Sequence, residues 1–411
     1  MPHDAEYRRL DESIDQHFDE EVEFLQALVR IPTDTPPGNN APHAEFARKA
    51  LQSLNFDVEA HAVPAALVTA SGLTSITNLI VRESFGPGPV IALNAHGDAV
   101  PAGPGWTFAP HGARIADGKL YGRGAAVSKS DFATYAFALR ALKELGAPLG
   151  GTVELHFTYD EEFGGELGPG WLIKEGLTKP DFVIAAGFTY QVLTAHNGCL
   201  QLEVTVTGQM AHAAIPASGI DALQGATAIL NRLYEENPRL ARFRSKVKGI
   251  DHPYLNVGVI SGGTNTNVVP GEVVFKLDRR MIPEENPEEV ERDLRDLIND
   301  TVLPSRDLKV TIRRLMLARP LLSSPEAEVF ANKLARQAEV VFDTKIPLKG
   351  TPLYTDARLY AAAGAKAVLY GAGPRTILES NAKRADEHIV LEDLRRATKV
   401  IARTLLELLS E

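Results

Sequence analysis

Short apolar runs that alternate with helical segments constrain the fold of this chain more than any other feature of its sequence. The apolar runs of the first half are ITNLIVRE, PVIALNAHGD, TVELHFTYDEE and DFVIAAG, and helical patterns accompany them at 19–30, 43–54 and 131–145. Such an alternation is typical of an α/β fold, in which helices cover both faces of one sheet. We therefore predict a helix-flanked mixed sheet for this part of the chain.

The pattern changes near Gly198. Alternating strands such as LQLEVTVTG, YLNVGVISGG and GEVVFKLDRR follow, with helical segments at 219–236 and 287–300 and a last strand, LKVTIRR. We predict that 199–316 forms a compact α+β insert in a first domain made of 1–198 and 317–411. A chain of 411 residues is longer than one typical hydrophobic core supports, which agrees with two domains.

Composition excludes several classes of protein. A net charge of −10 argues against a nucleic-acid or anionic-membrane partner, and no apolar run approaches the length of a membrane span. The charged N-terminal segment lacks the apolar core of a signal peptide, so we expect a cytoplasmic protein. The single cysteine, Cys199, excludes an intramolecular disulfide, and its apolar neighbours predict a small buried side chain.

Polar clusters stand where two of the predicted strands end. His96 and Asp98 end one strand, and Asp160, Glu161 and Glu162 end the next. Ligands of open α/β sheets bind beyond the carboxyl ends of the strands, which makes both clusters candidates for a site. A His-x-Asp triplet alone more often has a structural or incidental role than a functional one. The three acids could likewise be a solvent-exposed turn without a function. Three adjacent acids repel one another, so one of them should have a raised pKa unless a cation lies nearby.

Several longer motifs carry a resemblance that covers nearly the whole chain. They are HGDAVPAGPGWTFAPHGARIADGKLYGRG, YDEEFGG, GQMAHAAIPASGIDAL, GGTNTNVVPGE with LDRR, YTDARLYAAAGAKAVLYGAG, and NAKRADEHI. The chain thereby resembles the M20 family of metallopeptidases and aminoacylases, which includes acetylornithine deacetylase, succinyl-diaminopimelate desuccinylase and glutamate carboxypeptidase. The resemblance implies a catalytic α/β domain with an inserted α+β dimerisation, or lid, domain.

Position by position, the resemblance implies roles for four residues of the first domain. His96 matches a metal ligand, and Asp98 matches the acid that supports it. Glu161 matches the general base that activates water, and Glu162 matches a ligand of the second metal.

Three residues of the insert also match. His212 and Asn267 match groups that polarise the scissile carbonyl, and Arg280 matches a residue that binds a substrate carboxylate. The bidentate fork of a guanidinium suits that last task. An edge strand of the insert would offer unpaired backbone groups to a second copy, so a homodimer is expected.

Three positions that hold metal ligands in the family are substituted in this chain. The bridging aspartate falls on Val127, the terminal acidic ligand on Phe188, and the late histidine on Lys383. His96 alone then remains of the first metal's set, and Glu162 alone of the second's. A catalytic zinc ordinarily has three protein ligands. We therefore predict at most one divalent metal, zinc or manganese, or none.

Two compensations for the lost ligands are open. His196 is a candidate replacement for the ligand lost at Phe188, so that His96, Glu162 and His196 would hold a single metal. Alternatively, Lys383 brings an ammonium group close to Glu162, supplies part of the lost positive charge, and takes part in catalysis. Buried charges left unpaired cost several kcal/mol, which is the reason to expect some compensation.

The resemblance implies a hydrolase that acts on an amide or related C–N bond of a small substrate bearing a carboxylate. Glu161 would deprotonate water, and His212 with Asn267 would stabilise the oxyanion. The alternative is a non-catalytic relative that binds small carboxylated ligands through Arg280 and His212. The presence of Asp98 and Glu161, which matter mainly for chemistry, favours the enzyme.

Overall fold

The chain folds into two compact units in a computed structural model that describes residues 3–302, 307–376 and 378–410. The first unit comprises Met1–Thr194, Ser323–Lys349 and Thr355–Glu411, and the second comprises Ala195–Leu322 and Gly350–Tyr354. The predicted insert, 199–316, lies inside the second unit. That unit also includes Gly350–Tyr354, a segment that the sequence patterns assign to the other domain.

Helices and strands alternate through the described residues. The helices are α1 (Asp4–Gln16), α2 (Phe18–Val29), α3 (Ala41–Ser53), α4 (Ala65–Ala70), α5 (Ser130–Leu145), α6 (Pro169–Lys174), α7 (Ala222–Leu240), α8 (Pro287–Val302), α9 (Pro325–Phe342), α10 (Ala357–Ala362) and α11 (Leu391–Leu409). The strands are β1 (Val58–Ala62), β2 (Thr77–Gly86), β3 (Val90–His96), β4 (Arg114–Ala116), β5 (Lys119–Tyr121), β6 (Gly151–Thr158), β7 (Phe182–Ala185), β8 (Val192–His196), β9 (Gly198–Thr207), β10 (Ala211–His212), β11 (Tyr254–Gly262), β12 (Val268–Val269), β13 (Glu272–Met281), β14 (Lys309–Ala318), β15 (Leu321–Leu322), β16 (Leu348–Thr351), β17 (Lys366–Leu369) and β18 (His388–Val390). None of the helices within the described ranges has the length and apolar character needed to cross a membrane.

The main sheet of the first unit brings polar strand ends together. β3 lies between β6 and β7 and runs parallel to both, and β17 lies parallel to β7 on its far side. β2 and β1 extend the opposite edge in antiparallel order. Parallel strands share a carboxyl edge, so the segments that follow β3, β6 and β7 meet there. This mixed, helix-flanked sheet confirms the predicted fold class.

The core of the first unit forms where helices pack on that sheet. α5 contacts β3 and β6 on one side and α1, α2 and α11 on the other, and it is buried along nearly its whole length. The uncharged stretch from Phe132 to Leu139, which is apolar except for Thr134 and the hydroxyl of Tyr135, suits such a position. The sequence patterns did not predict α1, because most of its residues are charged. Its buried residues, Tyr7, Leu10 and Ile14, nevertheless recur at helical spacing.

The second unit is built on an antiparallel sheet with the strand order β11-β13-β9-β14. On β9 the side chains of Leu200, Leu202, Val204 and Val206 are buried, whereas the alternate residues from Gln201 to Thr207 are partly exposed. The other buried side chains of this core come from α7, α8, β11 and β13. The sheet therefore has one apolar face under the helices and one polar face, as the period-two pattern predicts.

One carboxyl group lies inside the helical core of the first unit. Glu21 of α2 is fully buried, and its Oε1 accepts a hydrogen bond of 2.6 Å from the Thr398 hydroxyl of α11. No described residue bonds its Oε2. Burial raises the pKa of Glu21 to about 8, although the bond from Thr398 acts to lower it. The neutral acid is therefore the form that the folded protein favours.

We expect Glu21 to make the first unit less stable as the pH rises. The folded pKa lies above the usual value of 4.5, so its stabilising contribution is complete below about pH 4.5 and is lost as the pH rises through about 8. Glu21→Gln removes this proton linkage. Its unfolding temperature should equal that of the wild type near pH 5 and exceed it at pH 9, by a free-energy difference that grows by up to about 1.4 kcal/mol per pH unit.

Thermal unfolding across this pH range measures the difference. Glu23→Gln is the matched control, because Glu23 is exposed on the same helix. A Glu21→Gln variant whose unfolding temperature follows the wild type at every pH would show that Glu21 titrates normally.

Candidate active site

Asp98 joins the ends of two neighbouring strands at the carboxyl edge of the main sheet. Its carboxylate accepts the backbone N–H of Glu161 at 3.3 Å and that of Glu162 at 3.0 Å, just after β6. His96, the last residue of β3, places Nδ1 3.3 Å from Oδ1 of Asp98. The side chains of His96 and Asp98 are 6% and 0% exposed. Asp98 thereby fixes both the imidazole and the turn that carries the two glutamates.

Glu161 faces the other side of the same imidazole. Its Oε2 lies 3.9 Å from Nε2 of His96, and its side chain is 13% exposed. Burial raises the pKa of Glu161 to about 7, although the charge of His96 acts to lower it. Burial alone would lower the pKa of His96, but Asp98 and the charge of Glu161 raise that pKa to about 10. The pair is a carboxyl group that exchanges its proton near neutral pH beside a charged imidazole.

Lys383 contacts Glu162 directly. The ammonium Nζ donates to Oε2 of Glu162 at 2.6 Å, and the Glu162 side chain is 6% exposed whereas that of Lys383 is 55% exposed. Burial acts to lower the pKa of Lys383, but the charges of Glu162 and Glu161 raise it above its usual value. The ammonium is therefore charged and compensates a carboxylate that has little access to water.

Val127 lies in a loop that forms hydrogen bonds with Glu387. Oε1 of Glu387 accepts the backbone N–H of Ala126 at 3.1 Å and that of Val127 at 3.3 Å, and Oε2 bonds Arg123 at 2.5 Å. These bonds hold the loop through its backbone and Arg123, without a polar side chain at residue 127. Phe188 follows β7, is partly buried, and forms a backbone bridge with Gly373.

Across 3–302, 307–376 and 378–410, no group of three or more His, Cys, Asp or Glu side chains is arranged to hold a metal ion. Glu162 is paired with Lys383. His196, the predicted replacement ligand, belongs to the second unit and donates through Nδ1 to the carbonyl oxygen of Asn197 at 2.8 Å. Among the described residues of the first unit, none completes a group of three ligands with His96 and Glu162.

Sequence reasoning gave no role to two buried carboxyl groups near this site. Asp356 precedes α10, and burial together with the charges of Glu161 and Asp160 raises its pKa. Glu387 fastens the loop of Val127, as described above. Both residues lie within the quoted segments YTDARLY and NAKRADEHI, so the signal was present, but their burial depends on tertiary packing.

The predicted residues of the insert form two groups in the second unit. His212 of β10 is exposed, and the residue after it, Ala213, donates its backbone N–H to the carbonyl oxygen of Asn267 at 2.9 Å. The structure thus brings His212 and Asn267 close together in the chain's fold. Arg280 lies on β13, where its Nε donates to Oδ1 of Asp278 at 2.7 Å.

Comparison with known proteins identifies relatives along most of the chain. The model of peptidase family M20/M25/M40 matches residues 92–407. An acetylornithine deacetylase of Myxococcus xanthus is 31% identical over 392 residues, which cover 93% of this chain and 95% of that protein. A succinyl-diaminopimelate desuccinylase of Hydrogenovibrio crunogenus is 26% identical over 416 residues, which cover 95% of this chain and 99% of that protein.

Solved structures share the fold. The dipeptidase Dug1p of Saccharomyces cerevisiae has a TM-score of 0.81 at 15% identity, and human carnosine dipeptidase 1 has a TM-score of 0.76 at 18% identity. Each comparison covers 98% of both chains. At such identities these likenesses speak for the fold alone.

We expect the Lys383–Glu162 ion pair to stabilise the first unit, so that the effect of replacing one partner depends on whether the other is present. Lys383→Met leaves the Glu162 carboxylate buried and unpaired, which should lower the free energy of unfolding by about 1–2 kcal/mol, less than for a fully buried pair because Lys383 is half-exposed. The double variant with Glu162→Gln should recover most of that loss. Denaturant unfolding of the wild type, Lys383→Met, Glu162→Gln and the double variant gives the coupling energy between the two side chains.

Arg384→Met serves as the control, because Arg384 is an exposed neighbour on the same loop. Strictly additive single effects would mean that the ion pair contributes nothing to the fold.

Proposed function

This chain belongs to peptidase family M20/M25/M40 and is a hydrolase of that family acting on amide bonds, and we propose that its substrate is a small amide with a free carboxylate. The observation that carries the proposal is the placement of Glu161 at the carboxyl edge of the sheet, 3.9 Å from His96 and held by Asp98 through its backbone N–H. The names of the relatives, a deacetylase and a desuccinylase, support an N-acyl amino acid as the substrate class.

Glu161 acts as the general base in this proposal. Its carboxylate takes a proton from water, the resulting hydroxide attacks the amide carbonyl carbon, and the carbonyl electrons move to oxygen. When the tetrahedral intermediate collapses, the C–N bond breaks and Glu161 returns the proton to the leaving nitrogen. His96 keeps a positive charge next to Glu161, and Asp98 keeps the ring in place.

Lys383 replaces part of the charge of the family's metals, and the site holds at most one divalent ion. Its 2.6 Å contact with Glu162 supports this assignment, as do the apolar side chains of Val127 and Phe188 at positions where the family has acids. Without two metals to polarise the carbonyl, unactivated amides should react slowly.

Recognition of the carboxylate is assigned to Arg280, while His212 and Asn267 keep their predicted role at the scissile carbonyl. The close placement of His212 and Asn267, through the bond between Ala213 and Asn267, supports a joint role for those two.

The proposed assembly is a homodimer formed through the second unit. β11 is an edge strand, and its side chains Val259 and Ile260 are 51% and 52% exposed. Leu223 and Tyr234 of α7 are also exposed, at 45% and 48%. An exposed apolar edge strand of this kind favours pairing with another copy.

Light scattering should show a dimer for the wild type and a monomer for the double variant Val259→Lys, Ile260→Lys. The added charges repel across the edge while leaving the buried side of the sheet intact. Val329→Lys, at a residue that is 60% exposed on α9 of the first unit, is the control and should stay dimeric. A wild-type monomer, or a dimer that survives the double substitution, would refute this interface.

Hydrolysis is tested on N2-acetylornithine, N-succinyl-diaminopimelate, other N-acetyl amino acids and an activated anilide, by release of the amine. Glu161→Gln should lower turnover at least about 100-fold, because it removes the base. Glu166→Gln should leave turnover unchanged, since Glu166 lies nearby in sequence but is 65% exposed. The assay is run before and after dialysis against a chelator, with the metal content measured.

Fewer than two retained ions per chain, with turnover that depends on Glu161, is the expected result. Two tightly bound ions, both needed for turnover, would overturn the assignment of Lys383. Absence of turnover on every substrate, with or without added zinc or manganese, would favour a non-catalytic binding protein.

A further inference from the structure

Arg280 lies in an ordered array on the polar face of the second unit's sheet. Residues two apart on a strand share a face, so Asp278 and Arg280 of β13 project to the same side. Antiparallel register places Gln201 of β9 opposite Asp278 and Cys199 opposite Arg280. Opposite residues on one face of a sheet lie within side-chain reach, so these four side chains form one cluster.

Asp278 holds one edge of the Arg280 guanidinium. Nε of Arg280 lies 2.7 Å from Oδ1 of Asp278, and Nη2 lies 3.5 Å from Oδ2. Of the residues that the structure describes, only Asp278 accepts hydrogen bonds from this guanidinium. The edge formed by Nη1 and the outer hydrogen of Nη2 is the part that remains for a ligand.

Tyr354 lies against a face of the same group. The guanidinium carbon of Arg280 is 5.6 Å from the centre of the Tyr354 ring, a cation–π distance. With one edge paired and one face against a ring, the orientation of the planar group is set before any ligand arrives.

Asp278 is itself held by two donors of β9. The Nε2 of Gln201 donates to its Oδ2 at 3.0 Å, and the Sγ of Cys199 donates to the same oxygen at 3.3 Å. Burial and the charge of Asp278 raise the pKa of Cys199 to about 12, so the thiol keeps the proton that it donates. A carboxylate with this many partners is a fixed support, unlike a carboxylate in an ordinary surface pair, which moves with its partner.

We propose that Asp278 and Tyr354 are positioning residues that present the Nη1–Nη2 edge of Arg280 as a fixed fork for a planar carboxylate, and so set the substrate specificity. This inference rests on the proposed function, in which Arg280 binds the substrate carboxylate. A mobile arginine would bind any anion, whereas a fixed fork matches the two oxygens of a carboxylate and has already lost its rotational freedom.

The test compares two matched ligands, the N-acetyl amino acid that is hydrolysed fastest and its carboxamide, which lacks the charge. Asp278→Asn and Tyr354→Leu should each raise KM for the acid about tenfold, change kcat less than twofold, and leave KM for the carboxamide unchanged. Gln201→Leu, which removes one bond to Asp278, should raise KM for the acid two- to threefold (about 0.5 kcal/mol). This mild variant keeps the test valid if a stronger one fails to fold.

Two controls separate positioning from general damage. Tyr354→Phe keeps the ring and should behave as the wild type. Glu203→Gln changes an acid on the same face of β9 that pairs with Arg313 and Lys276, and it should leave both KM values unchanged.

Arg280→Met separates the positioning role of Asp278 and Tyr354 from the carboxylate-binding role of Arg280 itself. If it abolishes the preference for the acid while Asp278→Asn and Tyr354→Leu do not, the positioning role is wrong and the role of Arg280 stands. If Arg280→Met leaves the preference intact, the proposed carboxylate site itself is wrong. Should no substrate turn over, calorimetric binding of succinate and succinamide to the same variants gives the same comparison, and equal binding of both ligands to the wild type overturns both proposals.

Discussion

The buried ion pair between Arg123 and Glu387 joins two segments that are 264 residues apart in the chain and on which the site is built. Both side chains are 2% exposed, so separating them would leave a charge with almost no access to water. Because Glu387 also accepts the backbone N–H groups of Ala126 and Val127, the loop and the late segment fix each other. The main chain at residue 127 is thus held through its backbone N–H group. Glu387 in turn fixes the segment that carries Lys383.

Charge balance explains how the remaining acids tolerate their burial. Glu162 has the ammonium of Lys383, and Asp98 has an imidazole and two backbone N–H groups. Glu161 shares the imidazole at a longer distance. The resemblance to the family implies that Val127 and Phe188 stand where relatives have acids. On that alignment both residues lower the negative charge near the site, and Lys383 adds positive charge, so all three changes reduce the need for a metal ion.

Much of the fold could be predicted from local patterns, because strands and helices differ in the period of their apolar residues. Short elements such as α4 and α6 were not predicted, and neither was α1, whose many charged residues obscure the helical spacing of its three buried side chains. The grouping of His96, Asp98, Glu161 and Glu162 followed from parallel strands that share a carboxyl edge. Lys383 is different, because 221 residues separate it from Glu162 and no local pattern links them. That contact could be anticipated only from the resemblance to a family.

Lys383 differs from a bound metal ion because its charge is covalently part of the protein. A cation that is part of the polypeptide cannot be diluted away, competed for by another protein or exchanged for a wrong ion. Every chain that is synthesised contains one Lys383 for its one Glu162. The positive charge that contacts this carboxylate is therefore part of the polypeptide itself.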